Sequence, residues 1–145
     1  MKRFNFPLER VRRWRSEQAT LEELKLQQLR AELDALAAGK RQIQDELVQT
    51  EQQVLGKRLM EPLELESLDS YRFYVRGRVR DFGQRESQCE ARVAEQRQKV
   101  IEARRRSELL DRLRTNAFGK WRTASDKEQE DLAAELFLAR GRRNA

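Results

Sequence analysis

The chain has 145 residues and a formal net charge of +6, with 39% of its residues charged. It contains no histidine and one cysteine, Cys89. That excludes an imidazole base, a His-containing triad, a His metal ligand and an intramolecular disulfide.

A chain this polar is either disordered or built from helices that each bury a narrow stripe. The stripe is present. From residue 26 to residue 54, apolar residues recur at steps of three and four: Leu26, Leu29, Leu33, Leu36, Ile43, Leu47 and Val54. Lys40 and Thr50 hold the two polar positions of this heptad seam. Such a seam predicts a helix that pairs with another helix.

In chain order, Asn5 reads as an N-cap and Pro7 as a first-turn proline, so a first helix is expected over about residues 6–56. The segment before it has charge but no apolar run, so it does not read as a signal peptide. The early apolar residues Leu8, Val11, Trp14, Leu21 and Leu24 are out of step with the later seam. Extending that seam backwards would place Arg12, Arg15 and Glu22 on it. A phase shift near Leu24 to Leu26, equivalent to a stutter, is therefore expected. Gly39 interrupts the helix at a cost of ~1 kcal/mol. Gly56 weakens it and Pro62 ends it, which places a turn at about residues 57–64.

A second helix is expected over about residues 65–140. Its seam comprises Leu68, Val75, Phe82, Cys89, Gln96, Ala103, Leu110 and Ala117 in one heptad position, with Val79, Glu86, Val93, Val100 and Ser107 in the other. Folding back at Pro62 sets Leu26 against Val100, Leu29 against Gln96, Leu33 against Val93, Leu36 against Cys89, Ile43 against Phe82 and Leu47 against Val79. It also sets Lys40 against Glu86, a polar layer that fixes register. The expected fold is all-α, one long antiparallel two-helix coiled-coil hairpin spanning residues 1–145. Residues 126–145 overhang the first helix and carry the stripe Leu132, Leu136 and Ala139. An unpaired amphipathic stripe awaits another chain.

Catalysis is not expected. Lys40, Lys57 and Lys120 each follow a glycine, but none completes a phosphate-binding loop. The carboxylates alternate with Arg and Lys on helix faces. No cofactor or metal is expected. Arg76, Arg78 and Arg80, and Arg104, Arg105 and Arg106, form basic clusters with acids interspersed. They read as solvated faces rather than a nucleic-acid site. No stretch approaches the ~20 apolar residues of a membrane span, so a cytoplasmic protein is expected.

Three groups of residues resemble one family. The opening, with Phe4, Phe6, Leu8, Glu9, Val11, Arg12 and Arg15, resembles the start of the FliJ family, coiled-coil components of the bacterial flagellar type III protein export apparatus. Leu68-Asp69-Ser70-Tyr71-Arg72-Phe73-Tyr74 is similar to the aromatic stretch that opens that family's second helix. Leu109, Leu110, Leu113, Trp121 and Arg122, followed by Asp126, Glu128, Gln129 and Asp131, are similar to its C-terminal helix. The similarity does not extend to Arg78, Asp81 and Arg85.

The resemblance implies a non-enzymatic stalk whose open end inserts into the ring of the flagellar export ATPase. Leu8, Val11, Arg12, Trp14, Arg15, Trp121, Leu132 and Leu136 would form that end. Tyr71 and Tyr74 would meet the export gate membrane protein and unladen export chaperones. It also implies a place at the inner face of the cell membrane, held there through the export apparatus. An injectisome stalk protein and a self-associating coiled-coil scaffold are the alternatives.

Overall fold

A computed structural model describes residues 2–144. The chain is an all-α, antiparallel two-helix hairpin. It consists of α1, Glu9–Leu55, and α2, Pro62–Arg143. Contacts divide it into two units, Leu21–Val100 and Met1–Thr20 with Ile101–Ala145.

In the Leu21–Val100 unit, the heptad seams of both helices are turned inward. Leu26, Leu68, Val75, Cys89, Val93 and Val100 are buried, and Leu33, Leu36, Ile43, Leu47, Val54, Val79 and Phe82 are half-buried. Leu26, Val93 and Val100 form one cluster with Leu29 packed against it. Each such side chain contributes roughly 1.5–3 kcal/mol when fully buried. Lys40 Nζ lies 3.7 Å from Glu86 Oε1, so that polar pair forms. The register is nevertheless shifted from the expected one. Phe82 packs on Gly39, four residues before Ile43. Cys89 Sγ donates to the Leu29 carbonyl, a heptad before Leu36, and Gln96 donates to the Glu22 carbonyl, a heptad before Leu29. Arg72 Nε donates to Glu51 Oε1 at 2.8 Å and Lys57 Nζ to Glu64 Oε1 at 3.2 Å, tying the arms nearer the turn.

Gly39 is an accommodation rather than an interruption. A Cβ there would lie 3.0 Å from Cε1 of Phe82, so its absence lets the ring pack directly onto α1. Gly56 follows the last residue of α1. Its amide donates to the carbonyl of Gln52, where a Cβ would meet that oxygen at 2.7 Å.

Pro62 differs from expectation. It opens α2 instead of sitting inside the turn, and the amides of Glu64 and Leu65 donate to the Glu61 carbonyl. A proline in the first turn has no N–H to leave unpaired, and its fixed φ suits a helix start.

In the other unit, α1 begins at Glu9, three residues later than about residue 6. The first amides donate outward from the helix start: Glu9 to the Phe6 carbonyl and Arg12 to the Leu8 carbonyl. Phe6 is buried and Phe4 packs its ring on Phe118 and Trp121. Anchoring these two aromatics holds residues 2–6 out of the helix.

The expected stutter is also absent. Ala19 is buried, and Arg12 and Arg15 in this unit, like Glu22 in the other, are half-buried positions of an unbroken register. The apolar residues Leu8, Val11, Trp14, Leu21 and Leu24 are exposed instead. Polar seam residues can be held inward here because partners exist for them. Arg12 reaches Glu9 and Asp111, and Glu22 accepts from Gln96.

Candidate interaction surfaces

The ties that keep Arg12 inward also define what faces out. Its guanidinium donates to Glu9 Oε1 at 2.6 Å and to Asp111 Oδ1 at 3.3 Å, and Arg114 Nε lies 3.5 Å from Glu9 Oε2. The Arg12 hydrogen bond, with further attraction from Arg114 and Arg13, holds the Glu9 carboxyl below the usual carboxylate range, although partial burial opposes the shift. Glu9 and Asp111 raise the Arg12 pKa. These links put residues 11 and 14 of α1 level with residues 113 and 109 of α2. At 3.6 residues per turn, Val11 and Trp14 fall on the flank away from Glu9, and Leu109 and Leu113 on the flank away from Asp111. The four side chains share one face and all are exposed, Trp14 at 49% and Leu109 at 58%. Arg15 stacks its guanidinium 4.7 Å from the Trp14 ring centroid, a cation–π contact that shields part of the indole.

Trp121 is not free in the same way. Its ring is half-buried between Phe4 and Phe118, with centroids 5.9 and 5.7 Å away, and its Nε1 donates to the Lys2 carbonyl at 3.2 Å. Arg114 lies over Phe4. Trp121 therefore pins the N-terminal segment to α2.

Beyond Ser125, α2 stays helical to Arg143, and every described residue of that stretch is exposed. Leu132 and Leu136 are 57% and 63% exposed, and Phe137 and Leu138 are exposed beside them.

In the Leu21–Val100 unit, Tyr71 and Tyr74 stack with centroids 6.4 Å apart. Tyr71 is half-buried and lines a shallow groove with Val54, Leu63 and Leu68, whereas Tyr74 and Phe73 are exposed.

The sequence-derived site residues thus fall into three places. Leu8, Val11, Arg12, Trp14, Arg15 and Trp121 belong with one helix-pair end, Leu132 and Leu136 lie on the lone helical stretch of that unit, and Tyr71 and Tyr74 lie in the other unit. Sequence reasoning missed the packing role of Phe4, Phe6 and Phe118. The alternation Phe4-x-Phe6 is the period of an extended segment, and Phe118 with Trp121 has helical i,i+3 spacing. Together these were the available signal. It also missed the apolar surface about the turn, where Leu59 in the turn and Leu63 at the start of α2 are exposed.

Among the described residues, no helix is long and apolar enough to cross a membrane, and no group of three His, Cys, Asp or Glu could hold a metal ion. The surfaces offer apolar side chains bordered by arginines, a chemistry of recognition. Comparison with family models, with curated proteins and with solved structures returned no match.

Proposed function

We propose that this chain is a non-enzymatic coiled-coil stalk and adaptor of the bacterial flagellar type III export apparatus, working at the inner face of the cell membrane. In this reading the Met1–Thr20 and Ile101–Ala145 unit docks in the ring of the export ATPase. Tyr71 and Tyr74 meet the export gate or an unladen chaperone. The observation that carries the reading is the lone helical stretch after Ser125, wholly exposed and apolar at Leu132 and Leu136. A helix that keeps leucines in water supplies the anchors a partner groove needs. Val11, Trp14, Leu109 and Leu113 add a second apolar face in the same unit. The excess positive charge lies in this unit too, since Leu21–Val100 is close to neutral by residue count. Basic charge would steer the end toward acidic ring loops and quicken docking.

The test is capture by purified flagellar export ATPase. The full chain is expected to be retained, and a chain ending at Ser125 is expected to keep its helicity but lose retention. Equal retention of both would contradict the reading.

A further inference from the structure

We infer that the exposed C-terminal stretch of α2 pairs antiparallel with the same stretch of a second copy of this chain. The inference concerns the chain alone and stands whether or not the export reading holds.

Three observations carry it. The stretch is already helical to Arg143, so little ordering cost remains on association. Gln129, Leu132, Leu136 and Ala139 form a three–four stripe of their own, one residue out of step with the α2 seam at Leu110 and Ala117, and no α1 residue covers it. The charges are segregated along the stretch. Asp126, Glu128, Glu130, Asp131 and Glu135 precede Ala139, with Lys127 the one basic residue among them and on the face away from the stripe, while Arg140, Arg142 and Arg143 follow it.

An antiparallel pair centred on Ala134 makes this pattern self-complementary. Leu132 meets Leu136 of the second copy, and Gln129 meets Ala139, each contact occurring twice by the two-fold axis. In an antiparallel heptad pair, the flanking positions on one side of the seam meet their own kind across it. Asp126 then faces Arg140 of the second copy, and Glu128 faces Arg142. Parallel pairing would match only Glu135 with Arg140 of the second copy, whereas the antiparallel pair matches both Asp126 and Glu128 with arginines. The interface is isologous, as two-fold dimers require. Near the axis Ala133 faces Ala133 of the second copy, a small residue where the helices approach most closely. Glu135 also meets its own copy there, which keeps the association modest.

Sedimentation equilibrium of the full chain tests this directly. The expected result is a concentration-dependent monomer–dimer equilibrium that weakens with added salt. The variants Arg140→Glu with Arg142→Glu, and Asp126→Arg with Glu128→Arg, should each dimerise at least about ten-fold more weakly. An equimolar mixture of the two should recover the dimer, because each variant supplies what the other lacks. All four positions are exposed, so helicity by circular dichroism should be unchanged. Mild oxidation of Ala133→Cys should link two copies, whereas Ala134→Cys, on the outer face, should not. Cys89 is buried and does not compete. A monomer at every concentration would overturn the inference. So would a dimer indifferent to both charge reversals, or a mixture that fails to recover it.

Discussion

Gly39 shows how much one missing methyl group can decide. The ring of Phe82 packs where a Cβ would sit, 3.0 Å from Cε1 and 3.1 Å from Cζ, with the Arg78 guanidinium 5.3 Å from the ring centroid. A larger side chain must push the ring out of the seam. Gly39→Leu is expected to destabilise by about 1–3 kcal/mol through overpacking. Gly77 is helical too, but nothing lies within 4 Å of its Cβ position. There only the helix propensity changes, so Gly77→Ala is expected to stabilise by up to ~1 kcal/mol. Urea unfolding of the two variants checks the pair. The sequence marks Gly39 as an interruption, because propensity sees the backbone and not what packs on it.

The element whose behaviour the sequence misjudged is the first part of α1. Apolar residues at 8, 11, 14, 21 and 24 look like a core stripe, and the simplest account was a shift of phase. The helix instead keeps its register and turns Arg12, Arg15, Ala19 and Glu22 inward. Hydrophobicity alone could not show this, because the polar residues are held by partners distant in sequence. Asp111 serves Arg12, and Gln96 serves Glu22. Elsewhere the periodicity was sufficient for the inward faces but not for the register. A seam repeating every seven residues fits its partner almost as well when slid by half a heptad, and Phe82 settles on Gly39 rather than opposite Ile43. The inward set from Leu26 to Val54, its counterpart from Leu68 to Ala117 and the Lys40–Glu86 layer were all legible from spacing. The helix boundaries were less so, since Pro62 reads as a breaker or a starter depending on which carbonyls it leaves unpaired.

The polar layers of α1 make its pairing pH-dependent. Hydrogen bonding from Gln96, aided by Lys25 and Lys99, lowers the Glu22 pKa, and Arg12 does the same for Glu9. A lowered folded-state pKa contributes stability that is whole above the ordinary glutamate value of ~4.3 and is lost as pH falls through the lowered value. Glu22→Gln should therefore cost stability at neutral pH, with the gap from the native chain closing in acid. Unfolding midpoints across a pH series measure that gap, and a constant gap would contradict the assigned cause.

At the scale of the whole molecule, the chain sorts its apolar residues into two populations. Leu26, Val75, Cys89, Val93, Val100 and Leu110 hold the helices together, while Val11, Trp14, Leu109, Leu113, Leu132 and Leu136 stay in water. The proposed function depends on the second population being surface rather than core. The candidate surfaces were only partly legible in sequence. Leu132 and Leu136 stood out because no first-helix residue could reach them, whereas Leu109 and Leu113 join Val11 and Trp14 only once the register is known.

The most direct measurement is the unfolding free energy of the combined variant Trp14→Gln, Leu136→Gln, set beside Leu26→Ala. The expected result is a loss below about 1 kcal/mol for the surface pair and about 2–5 kcal/mol for Leu26→Ala. A surface pair that costs as much as Leu26→Ala would mean that these residues belong to the core, and would remove the basis for a docking surface.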